Sequence, residues 1–221
     1  MNKEKKPHQY EFKEEEPSVV EEPPLRYETL NLNPSQRYTY ADYLTWFDDV
    51  RRELIDGVIH LMSAPVRIHA QISSELSFLV KMFIKKRKGK CRIYYAPFDV
   101  RLPINNKTAD DEVPNVVQPD ICVVCDPSKL DYRGCIGAPD LIVEIISPST
   151  SKKDWEKKFD LYEVSGVREY WIVDPKEKKV HIFLLQPDGK YNQGTVYECT
   201  QKAPVHIFKG LIIDLREVFE D

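Results

Sequence analysis

The stretch VVQPDICVVCDPSKLDYRGCIGAPDLIVEIISPS, residues 116–149, contains two near-continuous apolar runs, Ile121–Val124 and Leu141–Ile146. Apolar runs of this length are typical of strands that are buried on both faces of a sheet. Asp120 opens the first run directly after a proline, and Glu144 interrupts the second. A carboxylate among Leu, Ile and Val is costly to bury unless a cation pairs with it. The two acids therefore predict a polar site inside an apolar sheet.

Adjacent strands can bring these two acids within a few ångströms of each other, where two carboxylates repel. A divalent cation relieves the repulsion, and hard oxygen ligands with retained waters suit Mg²⁺. Hydrolysis of a phosphodiester needs an activated water and charge neutralisation, which a metal ion and an ammonium group can supply. Lys158 follows Glu144 by fourteen residues on a predicted helix, so it can point back over the strand end. The alternative is structural, with Asp120 at a turn-like strand start and Glu144 paired to a Lys or Arg.

The sequence around the two runs predicts an alternation of helices and strands. Asp56-Gly57 is a hairpin-type turn, and Gly89 is expected to end a long helix that begins near Arg67. This order predicts an α/β fold in which a mixed sheet carries helices on its faces. We predict helices over 40–49, 67–88 and 149–165, and strands over 58–62, 91–102, 116–126, 138–148, 169–175 and 179–186, with a short strand and a turn or helix at the end of the chain.

Several blocks of sequence occur in an order that resembles a known family. They are ELIDGVIHLMS, APFDVRL, QPD and VEIISPSTSKKDWEKKFDLYEVSGVREYWIVDP, and the match covers roughly residues 40–186. The chain resembles the Uma-two family of restriction endonucleases, within the PD-(D/E)XK nuclease superfamily. The resemblance implies a restriction-endonuclease-like α/β/α core with a central mixed sheet. It also implies metal-dependent cleavage of DNA, with Mg²⁺ as the cofactor and Mn²⁺ as its substitute.

The same resemblance assigns roles to individual residues. Pro119-Asp120 match the PD of the superfamily, so Asp120 would be a metal ligand and Glu144, at the D/E position, the second. Glu53 in RELIDG matches an acid supplied by the first helix–strand corner and would reach the metal, directly or through water. Ile146 stands where the superfamily has its lysine, two residues after the D/E position. Because of that departure, nuclease activity would need a lysine from another part of the chain.

In this family the lysine is moved to the following helix, and Lys158 in KKFDLY is the matching position. Its neighbour Lys157 would point about 100° away on a helix, so Lys158 is preferred. The predicted catalytic residues are thus Glu53, Asp120, Glu144 and Lys158, with Asp120, Glu144 and Glu53 as the metal ligands.

Three further polar residues are candidates for accessory roles. His69 could face the cleft as a proton shuttle or a phosphate contact, or it could bond locally within its helix. Asp99 is an acid on a predicted strand and could flank the site. A pairing with Arg101 is disfavoured, because the two side chains share a face of the strand but diverge at their tips. Gln118 precedes the PD and could contact the phosphate or a metal-bound water.

One basic cluster stands out near the end of the long predicted helix. It could hold the DNA backbone, because each neutralised phosphate adds salt-dependent affinity. It could equally be a solvated helix end, since cations at a helix C-terminus are favourable in any case. The cluster comprises Lys85, Lys86, Arg87, Lys88, Lys90 and Arg92.

Composition and charge limit which domain organisation and which partners the chain can have. The 221 residues carry a net charge of -4, which argues against a histone-like binder of nucleic acid. Residues 1–28 are acidic, contain proline and are poor in large apolar side chains, so we predict a flexible tail there and a single domain over 29–221. There is no apolar run long enough to span a membrane and no apolar leader, so we expect a cytoplasmic protein.

The five cysteines form an odd count, and in a reducing compartment we expect free thiols. Cys122 and Cys125 form a lone C-x-x-C, but residues three apart on a strand point to opposite faces and could not easily share a zinc ion. Neither a Gly-rich phosphate loop nor a G-x-S-x-G elbow is present, so nucleotide-hydrolase and serine-hydrolase functions are disfavoured.

Two functions from different classes therefore compete. The first is a Mg²⁺-dependent endonuclease acting on DNA, with RNA or branched DNA as other substrates that sequence cannot separate. The second is a catalytically silent module on the same fold that binds DNA or protein. A homodimer would suit the nuclease, because two-fold symmetry is a common arrangement for cutting two strands.

Overall fold

The computed structural model describes residues 32–33, 35–147 and 154–220. The tail predicted over 1–28 lies outside these residues and stays a prediction, as does the division into tail and domain. The first half of the helix predicted over 149–165 also lies largely outside them. The helices of the described part are α1 (Tyr40–Tyr43), α2 (Arg67–Arg87), α3 (Phe159–Ser165), which follows a π-helical turn at Asp154–Lys158, and α4 (Leu215–Phe219).

The strands form two six-stranded sheets and a two-stranded ribbon. The first sheet has the order β2-β1-β5-β4-β8-β7, the second has the order β12-β11-β10-β9-β6-β3, and β13 pairs with β14. The strands are β1 (Arg52–Ile55), β2 (Val58–Leu61), β3 (Arg92–Tyr95), β4 (Asp99–Arg101), β5 (Val116–Val117), β6 (Ile121–Val124), β7 (Leu130–Asp131), β8 (Gly134–Ile136), β9 (Leu141–Ile145), β10 (Glu169–Asp174), β11 (Lys179–Leu184), β12 (Thr195–Glu198), β13 (Lys202–Pro204) and β14 (Ile212–Asp214).

The second sheet is the centre of the protein and is covered on both faces. Its β9 and β10 run parallel, whereas the other neighbouring pairs in this sheet are antiparallel, so the sheet is mixed as predicted. Alternate residues of β9 point to opposite faces, as the geometry of a strand requires. Leu141, Val143 and Ile145 pack with α2 and α4, whereas Ile142 packs with α3 and the first sheet.

Helix α2 packs on the second sheet through an apolar stripe. The predicted start at Arg67 is confirmed, and the buried residues recur at helical spacing. The end of α2 differs from the prediction in one detail. Lys88, not Gly89, takes the left-handed conformation that terminates the helix, with φ at 50°. The buried positions are Ile72, Leu76, Val80 and Ile84, with Ile68, Leu79 and Phe83 partly buried beside them.

Two predicted strands are each divided between the sheets. The strand predicted over 91–102 is β3 in the second sheet and β4 in the first, and the strand predicted over 116–126 is β5 in the first sheet and β6 in the second. Proline interrupts each of them, at Pro97 and at Pro119, and a residue without an N–H cannot continue a hydrogen-bonded ladder. The two crossing segments lie side by side, since Ala96 N donates to Asp120 O at 3.3 Å.

The first helix is shorter than predicted, and the first hairpin is as predicted. Helix α1 ends at Tyr43 instead of continuing to residue 49. The following segment is held by side chains instead, because Asp48 bonds to Arg52 through both carboxylate oxygens. The hairpin turn pairs β1 with β2, and Gly57 adopts a φ of 71°, in the left-handed region that favours glycine.

The prediction that all cysteines are free is wrong for one pair. Cys91 and Cys125 form a disulfide, while Cys122, Cys135 and Cys199 are free. The reason is the antiparallel pairing of β3 with β6. Because Arg92 lies opposite Val124, Cys91, just before Arg92, lies beside Cys125, just after Val124. Cys122 and Cys125 do point to opposite faces of the second sheet.

Among the described residues, no helix combines the length and the apolar character that crossing a membrane requires.

Candidate active site

The site lies where the chain crosses between the two sheets. The segment between β5 and β6 carries Gln118 and Asp120. The segment between β3 and β4 also crosses from one sheet to the other, and it leads into Asp99. Proline and the change of sheet leave Gln118 and Asp120 outside the strand ladders, so their side chains can face the gap between the sheets, whereas Asp99 pairs with Gly134 at the start of β4. The crossing therefore places polar groups at the carboxyl end of β9, next to Glu144.

Asp120 is fixed against the neighbouring strand. Its Oδ2 accepts a hydrogen bond from the backbone N of Ile145 at 2.7 Å, and the same oxygen lies 3.1 Å from Nε2 of His69. Because Ile145 directly follows Glu144, the two acids singled out in the sequence occupy adjacent positions. His69 reaches Asp120 from the first turns of α2, so this helix contributes to the site as well as to the core.

Glu53 and Glu144 come from different sheets and meet at one ammonium group. Glu53 on β1 is 0% exposed, and its Oε1 lies 2.8 Å from Nζ of Lys158. Glu144 on β9 presents its Oε1 to the same Nζ, also at 2.8 Å. Lys158 itself is 2% exposed. A buried ammonium that pairs with two buried carboxylates offsets part of the cost of burying all three charges, and the three groups keep a formal charge of −1 when all are ionised.

Tyr162 completes this cluster and was not identified as a site residue from the sequence. Its hydroxyl donates to Oε1 of Glu144 at 2.6 Å. Lys158 and Tyr162 are four residues apart, so the helical turn brings both to the same face. That spacing from Lys158, together with the predicted buried side of the helix, was the signal in the sequence. We call Glu53, Glu144, Lys158 and Tyr162 the buried cluster.

Burial and the charges of the cluster raise the pKa values of Tyr162 and of the nearby Cys122. The pKa of Tyr162 is well above its usual value, first because the ring is buried and then because the charges of Glu144 and Glu53 disfavour a phenolate. Tyr162 therefore stays protonated and donates its hydrogen bond across the physiological range. Burial likewise raises the pKa of the Cys122 thiol, with smaller contributions from Cys135 and Glu144.

The position at which the superfamily has its lysine is apolar here. Ile146 is buried and packs in the apolar cluster between the second sheet and α3. Lys158 enters the same region from the helical segment before α3, whereas Lys157 is exposed. The structure thus brings Lys158, and not Lys157, to the two glutamates.

Gln118 forms hydrogen bonds both with the buried cluster and with Asp99. Its backbone N donates to Oε1 of Glu53 at 3.0 Å, and its side-chain Nε2 donates to Oδ1 of Asp99 at 2.9 Å. Its Oε1 accepts two bonds from Arg51, at 2.9 and 3.1 Å. Asp99 does not pair with Arg101, which lies 2.7 Å from Asp131 instead. Gln118 and Asp99 thus adjoin the site, as His69 does.

The predicted DNA-contact residues are not part of this site. Sixteen residues of α2 separate His69 from Lys85, and at about 1.5 Å per residue this places the basic cluster about 24 Å away. All of its lysines are exposed at the far end of the helix, and Arg87 stacks on Phe83 at 4.8 Å. Lys85, Lys86, Arg87 and Lys88 therefore form a second, separate feature of the surface.

The residues present are compatible with a divalent cation. Three carboxylates and one ammonium give the site a formal charge of −2 when all are ionised and His69 is neutral. Within the described residues, no group of three or more His, Cys, Asp and Glu side chains is arranged to hold a metal. Mg²⁺ does not need such a group, since it is usually bound by one or two carboxylates and several waters. The donor set therefore suits a hard cation that retains its waters.

Comparison with known proteins gives a family and a fold. Residues 40–216 match the model of the Uma2 family, which is described as "Putative restriction endonuclease". An uncharacterized protein, slr1290 of Synechocystis sp., is 29% identical over 161 residues, which is 72% of this chain and 80% of that protein.

A crystal structure described as "a putative nuclease belonging to DUF820", from Anabaena variabilis, has a TM-score of 0.65 and 21% sequence identity. The match covers 82% of this chain and 97% of that one. This likeness confirms the predicted α/β fold class.

Proposed function

Because the chain belongs to the Uma2 family, we propose that it is a metal-dependent endonuclease that hydrolyses phosphodiester bonds in DNA. The observation that carries the proposal is the convergence of Glu53, Asp120, Glu144 and Lys158 from four separate parts of the chain on one site. Scaffolding alone does not require three acids and a lysine beside one strand end. A metal-dependent nuclease can use this combination, with carboxylates that hold the cation and an ammonium group that stabilises the charge on the phosphate.

Asp120 and Glu144 would hold Mg²⁺, with Glu53 beside them. When bound, the ion would lower the pKa of a water ligand and neutralise charge on the phosphate. Lys158 keeps its ammonium between Glu53 and Glu144, where it orients the attacking water and offsets the charge that develops on the phosphate. Tyr162 fixes Glu144 by its hydrogen bond, and the N–H of Ile145 fixes Asp120.

The test is cleavage of supercoiled plasmid by the full chain in the presence of Mg²⁺ or Mn²⁺. We expect nicked or linear product from the wild type, and severe loss of activity in Asp120→Asn, Glu144→Gln and Lys158→Met. Glu156→Gln and Lys157→Met are matched controls, because both residues are exposed neighbours in the same segment. Unchanged cleavage in the three site variants would exclude this site.

A catalytically silent binding module is the second candidate. It is favoured by the observation that Lys158 already compensates Glu53 and Glu144. Calorimetric titration with Mn²⁺ separates the two candidates. A nuclease site should bind Mn²⁺ in the wild type and lose that affinity in Glu144→Gln, whereas a binding module should show no such affinity.

The homodimer remains part of the proposal, because two copies related by two-fold symmetry can cut both strands of a duplex. Sedimentation of the active protein, with and without duplex, measures the number of copies. Linear product from a species that stays a monomer throughout would contradict the dimer.

A further inference from the structure

A cleft of about 470 Å³ opens beside the reaction centre, between β4 and the hairpin of β7 and β8. Its volume lies within the range of about 300–1,000 Å³ that is usual for small-ligand sites. The lining combines aromatic rings with a few polar groups, which is the composition that orients a planar polar ligand. The lining includes Tyr94, Phe98, Asp99, Gln118, Tyr132 and Arg133.

Aromatic residues from two parts of the chain line the cleft. Tyr94 and Phe98 are stacked nearly parallel, with ring centroids 4.2 Å apart and an interplanar angle of 5°. Tyr132, in the turn between β7 and β8, is 93% exposed. The guanidinium of Arg133 lies 5.5 Å from the centroid of the Tyr132 ring. Because Arg133 is paired with Asp110 at 2.6 Å, the exposed ring of Tyr132 is the group at the mouth of the cleft that suits stacking on a planar ligand.

Gln118 joins the cleft to the reaction centre. Its side chain lines the cleft, and its backbone N–H bonds to Glu53 in the buried cluster at 3.0 Å. Asp120 is two residues further on, about 7 Å along an extended chain. A nucleotide attached to a phosphate at Asp120 and Glu144 can therefore place its base in the cleft.

On the basis of the proposed nuclease function, we infer that this cleft binds one unpaired nucleobase next to the phosphodiester that is cut. The base stacks on Tyr132, and the carboxylate of Asp99 accepts a hydrogen bond from an exocyclic amino group, as carboxylates do with cytosine. A base inside a duplex reaches the cleft only after it leaves the stack, which costs a few kcal/mol. Single-stranded, bulged or flapped nucleic acid is then the preferred substrate class.

Binding of mononucleotides without divalent metal tests the cleft independently of catalysis. The probes are 2′-deoxycytidine 5′-monophosphate and 2-deoxyribose 5-phosphate, which lacks the base, and binding is followed by NMR titration in EDTA. We expect the nucleotide to bind at least tenfold more tightly than the base-free sugar phosphate. Tyr132→Ala should remove about tenfold of that difference, because stacking on one aromatic ring is worth about 1–3 kcal/mol per base.

Two variants serve as controls for the loss in Tyr132→Ala. Phe47→Ala removes an aromatic ring that is also 93% exposed but does not line the cleft, so it should bind as the wild type does. Tyr132→Phe keeps the ring and should retain binding. Equal affinity for the two probes, or equal losses in Tyr132→Ala and Phe47→Ala, would overturn the inference.

Cleavage provides the second arm of the experiment. A duplex with one unpaired cytidine should be cut faster than the fully paired duplex, and Tyr132→Ala should reduce that ratio towards one. A ratio of one in the wild type would overturn the inference while leaving the nuclease intact. Absence of cleavage of any substrate would instead remove the nuclease proposal, and the mononucleotide titration would still decide whether the cleft takes a base.

Discussion

Lys158 is the residue on which the charge balance of the interior depends. Replacing it in Lys158→Met keeps an unbranched apolar side chain but removes the ammonium, which leaves Glu53 and Glu144 facing each other in a buried site. Removing one partner of a buried ion pair typically costs about 3–5 kcal/mol. We therefore expect a loss of that size in the free energy of unfolding, measured by urea denaturation.

The exposed neighbour provides the control for that measurement. Lys157→Met makes the same chemical change one residue earlier and should alter stability by less than about 0.5 kcal/mol. Equal stability of the two variants would mean that Lys158 does not compensate the glutamates in solution.

Tyr162 holds Glu144 in place, so its hydroxyl should matter for activity more than for folding. Tyr162→Phe leaves the ring and removes the donor to Oε1 of Glu144, at a cost of about 1–3 kcal/mol in stability. Tyr191→Phe is a matched control, because this buried tyrosine donates to Val167 O at 2.9 Å, outside the buried cluster. Both variants should lose stability, but only Tyr162→Phe should lower Mn²⁺ affinity and kcat for plasmid cleavage. Equal activities would contradict a positioning role.

At the scale of elements, the β1–β2 hairpin is the one that delivers Glu53. Its turn leaves no room for a side chain at Gly57, where an added Cβ would lie 2.9 Å from Tyr38 O, and φ is positive. Gly57→Ala should therefore destabilise the protein by more than about 1 kcal/mol in urea denaturation. Gly89→Ala should be nearly neutral, because no atom other than those of its two chain neighbours lies within 4 Å of its added Cβ. Similar losses in both variants would contradict this account of the turn.

The secondary-structure elements also show which sequence patterns predicted the structure correctly and which did not. The sequence predicted the Asp56-Gly57 turn and the apolar stripe of α2 correctly, because the local preference of these residues and their burial favour the same structure. Helix α1 was overestimated, since a continuing run of aromatic residues does not reveal that Asp48 bonds to Arg52. The disulfide was missed because it depends on the pairing of β3 with β6, which no local pattern specifies.

At the scale of the whole molecule, the sequence predicted one mixed sheet and not the division of the strands into two sheets. Pro97 and Pro119 were both visible within predicted strands, yet proline alone does not say that the chain continues in another sheet. The acids Asp120 and Glu144 were expected on neighbouring strands, and the structure does place them side by side. The role of the crossing became apparent only from the three-dimensional arrangement, because Gln118, Asp99 and the cleft meet there through contacts between distant residues.

The distance between the site and the basic cluster leads to a prediction about substrate length. About 24 Å of helix α2 corresponds to about seven base pairs at 3.4 Å each. If the cluster holds the backbone, replacing Lys85 and Lys86 together by alanine should weaken binding of a 20-base-pair duplex and lower the slope of log K against log salt by up to about two. Binding of a four-nucleotide strand should not change, because it cannot span that distance.

The alternative role of the cluster makes the opposite prediction. Cations in the last turn of a helix interact favourably with its carbonyl ends, by about 0.3–1 kcal/mol each at low salt. If Lys85 and Lys86 act only in this way, the double variant should lower the melting temperature and leave the salt dependence of duplex binding unchanged. Fluorescence anisotropy with the two substrates, together with thermal denaturation, distinguishes the two roles. Equal weakening of the short and the long substrate would contradict both, because it would place the cluster within reach of the reaction centre.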